Sequence, residues 1–394
     1  MSIHELLNDS VLEDDIQFPY PLSSGWQQPQ RVFLTGSTGF LGVYLLAELL
    51  RQTTAKIHCL VRAENPAAGL IRIRTQMNFY QLWQEDFVER IIVEIGDLAL
   101  SQLGMSAANF NNLSAQIDVI YHNGAQVNAM YPYSRLRACN VGGTREILRL
   151  AGMHHTKVIN FISTLTVFFS DQYLGQIVPE NNYATLDGGL RGGYKQSKWV
   201  AESLIRHARE RGLPAIIYRP GRILGDRHTG IIERLSDLLG NLLQGCIQLR
   251  QFPVVDTQIN FAPVDYVSHA IVYLGQQFHS LGNNFHLCNP ESISWNALWE
   301  IIKSLGYTVE EVSFADWSKA IAQQVKTGAD RELFLILHHL LRSPIYLFSP
   351  KPIFSTEQTA SALQNARVSC PRVDRDLMSI YLDYFRDVRG EQYA

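Results

Sequence analysis

A chain of 394 residues is long for one small domain and short for three, so two units are the expectation. Its composition, 46% hydrophobic and 18% charged with a net charge of -3, is that of an ordinary globular protein and disfavours nucleic acid as a partner. The cysteines (Cys59, Cys139, Cys246, Cys288, Cys370) are odd in number, scattered and without a C-x-x-C pair, which argues against a disulfide framework and a zinc site and fits a reducing, cytoplasmic setting.

Residues 1–30 hold no Lys or Arg, while Glu5, Asp9, Glu13, Asp14 and Asp15 make them acidic, so a secretory leader is not expected. Pro19, Pro21 and Pro29, with no clear periodicity in the second half, predict an extended linker into the first strand. From Arg31 onward, the strand candidates are "RVFLTG", "KIHCLV", "IIVEIGD", "DVIYHNGA", "KVINFIST" and "AIIYRPG". Helix-period segments sit between them at about 40–52, 70–90, 106–115, 134–153, 192–211 and 231–244. Such alternation implies right-handed crossovers and a parallel, doubly wound α/β sheet with helices on both faces.

Past residue 226 the rhythm changes: "FAPVDYVSHAIVYL" (261–274) predicts a helix, "NNFHLCN" (283–289) a strand, and 294–388 is mainly helical. The expected organisation is a linker at 1–30, a nucleotide domain at 31–225 with later returns from 255–290, and a smaller, mainly helical lobe at 226–394. The apolar stretch "LFLILHHLLRSPIYLF" (333–348) is broken by His338, His339, Arg342 and Pro344, short of the ~18 apolar residues a membrane span needs. No membrane contact is expected. Adjacent histidines diverge by about 100° on a helix, which serves metal ligation poorly, so no metal is expected.

"RVFLTGSTGFLGVYLLAELL" places Gly36, Gly39 and Gly42 between a strand and an amphipathic helix. That pattern meets the demands of a pyrophosphate site: a sharp turn, close backbone approach and a helix N-terminus facing the anion. Ser37, Thr38, Phe40 and Leu41 complete the turn, and a dinucleotide is the expected ligand over a plain tight turn. The second strand closes in Arg62, where an NAD site would carry an acid. A guanidinium suits a 2'-phosphate, so NADPH is the expected cofactor. Arg72 and Arg74 either add a second cation or form a solvated basic face.

With 17 tyrosines, a Tyr-x-x-x-Lys match such as Tyr194 and Lys198 decides little by itself. Residues four apart share a helix face, and a phenol needs a neighbouring cation to enter proton transfer near neutrality. Upstream, "VINFIST" ends in Ser163 and Thr164, at the carboxyl edge where parallel sheets bind ligands.

The G-x-x-G-x-x-G spacing, a strand-end Ser/Thr and Y-x-x-x-K, in that order, resemble the extended short-chain dehydrogenase/reductase family. The resemblance implies Thr164, Tyr194 and Lys198 as catalytic residues, with Ser163 the alternative to Thr164. It also implies Asp97 and Leu98 at the adenine, Asn123, Gly124 and Ala125 as the cofactor wall, Asn140 as the supporting asparagine, Lys198 on the ribose, and Pro220, Gly221 and Ile223 beside the nicotinamide.

"TGSTGFLG", "CLVRA", "YHNGAQVN", "NVGGT", "FISTLTV", "YKQSKWVAE", "YRPGRILG", "FHLCNP" and "CPRVDRDLMSIYLDYF" together look like a thioester reductase domain of a nonribosomal peptide or polyketide synthetase. This likeness implies a Rossmann-type fold and reductive release of an acyl or peptidyl thioester, carried on the phosphopantetheine arm of an upstream carrier protein, to an aldehyde or further to a primary alcohol. Residues 1–30 would then be the linker from the carrier, 226–394 the substrate and carrier-docking lobe, and the helical pair 314–342 a lid or plain core. Two other readings stand beside it. One is a small-molecule member of the superfamily, such as a ketone reductase or a nucleotide-sugar epimerase; the other is a non-catalytic NADP sensor.

Overall fold

The computed structural model describes residues 2–187, 189–232, 238–327, 330–341 and 351–389. Gly188, part of the expected helix 231–244, the junction and end of the helical pair 314–342, and the end of the apolar stretch 333–348 lie outside the described residues.

Seven parallel strands form the main sheet: β1 (Arg31–Thr35), β2 (Lys56–Val61), β3 (Ile91–Ile95), β4 (Val119–His122), β5 (Val158–Ile162), Ala215–Pro220 and Asn284–Leu287. Spatially the order runs β3, β2, β1, β4, β5, then Ala215–Pro220 and Asn284–Leu287. Val32 lies opposite Ile57 on one side and Val119 on the other, so the strand order reverses across β1 and β4. The carboxyl ends of these two strands flank the crevice where doubly wound sheets take their ligand. The β5 run "VINFI" is buried throughout, the continuous apolar pattern of a strand covered on both faces. The predicted strand around 283–289 is thus the seventh member of this sheet, paired with Ala215–Pro220.

Helices follow the predicted alternation with local differences. α2 (Phe40–Gln52) matches its expected span, whereas α3 (Pro66–Phe79) starts and ends earlier than the predicted 70–90. Asn65 caps it, its Oδ1 accepting from the Ala68 amide at 2.9 Å, with Pro66 in the first turn; Gln81 then turns left-handed at φ 57°. α4 spans Ala107–Gln116. The expected helix 134–153 is three pieces: α5 (Tyr133–Arg137), a π turn (Ala138–Gly142) and α6 (Gly143–Gly152). α7 (Gly193–Glu210) carries Tyr194 and Lys198.

Residues 1–30 are not an extended linker. Ser2 and Glu5 form a capping box on α1 (Ile3–Asp9), and Leu6, Leu12, Ile16 and Trp26 are each 5% exposed or less. Burial of such side chains contributes about 1.5–3 kcal/mol each, enough to hold a segment that lacks a long helix of its own. Its acids are met by arginines of α5, α6 and the end of α7: Asp9 by Arg137, Glu13 by Arg145, Asp15 by Arg149 and Asp14 by Arg211.

The chain forms two compact units. The first comprises Met1–Gly221, Val267–Leu287 and Pro352–Ser369; the second comprises Arg222–Tyr266, Cys288–Lys351 and Cys370–Ala394. The expected boundary at 225/226 therefore falls at 221/222, the returns to the first unit are 267–287 and 352–369 rather than 255–290, and 352–369 does not belong to the lobe. In the second unit, Phe252 stacks on Trp299 at 4.8 Å, and Trp295 donates from Nε1 to the Pro253 carbonyl at 2.8 Å. Trp317 and Tyr381 complete this core, and all of these rings are fully buried.

Candidate active site

The turn after β1 is built from glycines because nothing larger fits. Gly36 takes φ +75°, and a Cβ there would lie 2.8 Å from the Gly124 Cα. A Cβ on Gly42 would lie 1.8 Å from the Gly36 carbonyl oxygen. These contacts press the start of α2 against β1 and β4, leaving Gly39 as a cap residue with no side chain to accept from the first-turn amides. Those amides are the ready partners of a phosphate. Ser37 is fully buried with its hydroxyl beside the Cys59 thiol, Thr38 and Phe40 are not buried, and Leu41 is buried. The cradle therefore fits a dinucleotide pyrophosphate by shape, and every piece of it lies in the first unit.

Around the cradle, Asn123 donates from Nδ2 to the Gly36 carbonyl at 3.4 Å, and the Gly124 amide donates to Thr35 Oγ1 at 2.8 Å. Ala125 follows them, partly exposed. Leu98 is buried against Gly124 and Gly143, while Asp97 turns its Oδ1 to the Ala99 amide at 2.9 Å. Arg62 is exposed at the end of β2, and Arg72 donates from Nη1 to its carbonyl at 3.0 Å. Arg74 is committed elsewhere: it pairs with Glu85 and lies 5.1 Å from the Trp83 ring. Pro220 and Gly221 close the first segment of the first unit, with the Gly221 amide on the Leu287 carbonyl at 3.0 Å; Ile223 falls in the second unit, opposite Ala262.

Thr164 and Ser163 part company at the tip of β5. Ser163 gives its hydroxyl to Glu202, a buried carboxylate that also takes Arg219 Nη2 at 2.7 Å. Thr164 is 7% exposed, caps a short 3-10 turn by accepting from the Thr166 amide at 3.2 Å, and has the Thr166 hydroxyl as its other neighbour. Of the two hydroxyls, the one at Thr164 is not tied to a charge.

Tyr194 lies in the first turn of α7, and burial pushes its phenol up to about 12. The phenol therefore stays protonated at neutral pH. Lys198 is 4% exposed; its Nζ donates to the Ile162 carbonyl at 2.6 Å and sits 4.4 Å from the Phe161 ring. Burial pulls this ammonium down to about 8, with the Glu202 carboxylate opposing the shift. Burial, not the ammonium, sets the tyrosine here.

Asn140 sits in the π turn, a break in helical pairing that often marks functional positions. Its Nδ2 donates to the Gln126 carbonyl at 3.1 Å and to Ser197 Oγ at 2.9 Å, and its Oδ1 accepts from the Gln126 amide at 2.7 Å. Beneath it runs a buried chain that the sequence motifs did not reveal. Thr144 Oγ1 donates to the Asn140 carbonyl at 2.7 Å, so His122 Nε2 must donate to Thr144 Oγ1 at 3.1 Å. Its Nδ1 then accepts from Thr35 Oγ1 at 2.9 Å. His122, pushed down to about 3 by burial and by Lys198, is neutral and fixed in one tautomer. It ties the phosphate turn to the asparagine. The histidine of "YHNGAQVN" was the available signal, but a lone histidine cannot announce its partners.

The male sterility protein family of NAD-binding domains matches residues 34–271. A linear gramicidin synthase protein of Brevibacillus parabrevis is 39% identical over 387 residues, 96% of this chain and 8% of that protein. L-2-aminoadipate reductase of Schizosaccharomyces pombe is 33% identical over 342 residues, 82% of this chain and 24% of that protein. The chain thus spans a minor part of these curated relatives. Among solved structures, the terminal R domain from the myxalamid PKS-NRPS biosynthetic pathway has a TM-score of 0.92 and 38% identity, covering 99% of both chains.

Proposed function

The chain belongs to the male sterility family of NAD-binding domains and to the terminal reductase domains within it, and on that premise we propose NADPH-dependent reductive release of a carrier-bound thioester. The observation that carries the reading is one unit holding both the glycine cradle and a hydroxyl-tipped strand beside a Tyr-x-x-x-Lys helix, in a chain alike throughout to a terminal R domain.

NADPH, when bound, supplies the hydride. The cradle of Gly36, Gly39 and Gly42 with the α2 amides would hold the pyrophosphate, and Arg62, its carbonyl steadied by Arg72, would take the 2'-phosphate. Lys198 would hold the ribose. As the thioester carbonyl carbon gains hydride, its oxygen becomes an oxyanion, which Thr164 and Tyr194 meet with hydroxyl donors. Tyr194, in the first turn of α7, gives up its proton there. The resulting hemithioacetal loses the thiol and yields an aldehyde; a second round of hydride and proton gives a primary alcohol. The carrier protein presenting the phosphopantetheine arm is the proposed partner, and the second unit is its proposed docking lobe.

The test is direct. A carrier loaded with an acyl thioester is incubated with the protein and NADPH, and the released product is identified by mass spectrometry. An aldehyde or alcohol, formed only with NADPH, is the expected result. No turnover of any loaded carrier, beside good turnover of a nucleotide sugar, would overturn the reading in favour of an epimerase.

A further inference from the structure

The carboxylate of Asp9, at the end of α1, takes three hydrogen bonds from α5: Arg137 Nε and Nη2, each at 2.6 Å, and the Tyr133 hydroxyl at 2.7 Å. Its carbonyl accepts from Arg145 Nη2 in α6 at 2.7 Å. A short segment of acidic chain thereby grips the backbone that leads into the π turn.

That backbone touches α7 at both functional positions. A Cβ on Gly193, the residue before Tyr194, would lie 2.4 Å from the Tyr131 carbonyl oxygen and from the Tyr133 amide nitrogen. Any shift of Tyr133 is passed on at once, because two backbones in such contact have no slack. Farther along, Asn140 of the π turn donates to Ser197 Oγ at 2.9 Å, immediately before Lys198. The other end of α7 is held by the same strap: His207 Nδ1 bonds the Ser10 carbonyl at 2.9 Å, and Arg211 donates to the carbonyls of Leu12, Glu13 and Ile16 at 2.9, 2.6 and 2.8 Å.

The loop entering α7 is pinned at Leu190, which is 5% exposed and whose carbonyl accepts from Gln196 Nε2 of α7 at 2.8 Å, but the glycines on either side leave it open. Gly189 and Gly192 have positive φ, 77° and 98°, and a Cβ on either would meet no atom within 4 Å. Between this loop and α1 lies a cavity of about 500 Å3, lined by Leu6, Pro132, Leu190 and Gly193 among others. The tightest backbone support of the first turn of α7 is thus on the α5 side, at Gly193.

We infer that Asp9 is a positioning residue for the reductase site: by holding Tyr133 and Arg137 it sets where the first turn of α7 presents Tyr194. The inference rests on the reading of Tyr194 as the proton donor, and one of its two readouts needs no substrate.

The full chain is compared with its Asp9→Asn and Asp9→Glu variants by hydrogen–deuterium exchange, without cofactor, and by kcat and KM with a thioester. For Asp9→Asn the expected result is exchange about tenfold faster in the peptide 190–200 and unchanged in the peptide 31–61, since local opening frees one cooperative region at a time. With it, kcat falls about tenfold while KM for NADPH holds, as a displaced donor would produce. Asp9→Glu, which keeps the charge, restores at least part of both. Unchanged exchange in 190–200 overturns the inference, and so does an equal rise in 31–61, which marks general destabilisation. If Asp9→Asn does not fold, Tyr133→Phe, which removes a single hydrogen bond, answers by the same two peptides. Should the wild-type chain reduce no thioester, the functional reading fails while the exchange data still decide the role of Asp9.

Discussion

Tyr194 and Lys198 share a face of α7 yet respond to burial in opposite directions, the phenol pushed up to about 12 and the ammonium pulled down to about 8. Both shifts favour the uncharged form, as desolvation demands. The sign fixes a pH dependence. Below about 8 Lys198 keeps the proton that its proposed hold on the ribose needs; as pH rises through that value the cation is lost. We expect kcat for thioester reduction to fall on the alkaline side of about 8, well before a free lysine would titrate, and a profile flat to about pH 10 would sink this assignment. An exposed guanidinium at the end of β2 can discriminate only through the 2'-phosphate, so Arg62→Ala should weaken NADPH about tenfold to a hundredfold and leave NADH nearly unchanged, in line with charge-assisted bonds of about 1.5–3 kcal/mol. Titration of both nucleotides measures it, and equal losses would assign the phosphate to another group. Between the adjacent hydroxyls, the family resemblance favours Thr164 over Ser163, though nothing local in the sequence separates them. Only the folded chain puts Glu202, distant in sequence, on one of them.

Among elements, the turn between β1 and α2 is the least tolerant. In Gly42→Ala the new methyl would lie 1.8 Å from the Gly36 carbonyl, so the turn must open. Such overpacking costs about 1–3 kcal/mol, and a deformed cradle loses its aim at the pyrophosphate. The expected outcome is a lower melting temperature together with at least about tenfold weaker NADPH binding, read by fluorescence titration; binding that survives intact would mean that the cofactor sits elsewhere. This turn was legible beforehand because its demand is local, three glycines between a strand and a helix. β1 to β5 were legible for the same kind of reason, as short β-branched runs bounded by turn residues. The π turn at Ala138–Gly142 was not, since its surroundings keep helical periodicity on both sides. Residues 1–30 misled for a physical reason too. Their grip on the fold comes largely from backbone carbonyls and carboxylates taken by arginines far along the chain, and such bonds leave no periodic trace. The trace they did leave was charge: acids at 9, 13 and 15 answered by Arg137, Arg145 and Arg149.

For the molecule as a whole, the chain leaves the first unit at Arg222, returns for Val267–Leu287, leaves again and returns for Pro352–Ser369. The first return was partly visible, because 283–289 reads as a strand. The second was invisible: besides the short pairing of Ile353–Phe354 with Ile177–Val178, it is held by Glu180, which is 3% exposed. Glu180 accepts from the amides of His286 at 3.0 Å, Gln358 at 2.7 Å and Thr359 at 3.1 Å, and from the Thr359 hydroxyl. One carboxylate thus binds both returning segments to the first unit. Every one of those partners is a donor, so an acceptor-only group suits the site and an amide does not. Glu180→Gln changes no shape but turns an NH2 group toward donors that it cannot satisfy. Leaving buried donors unpaired costs about 1–3 kcal/mol each, and removing the charge weakens the bonds that remain. We expect a loss of about 2–4 kcal/mol in urea unfolding, with resistance to proteolysis lost first within 352–369, since this segment is held after the second unit has been traversed. A transition at the wild-type midpoint, with no new cleavage in 352–369, would mean that the segment is held by something other than Glu180.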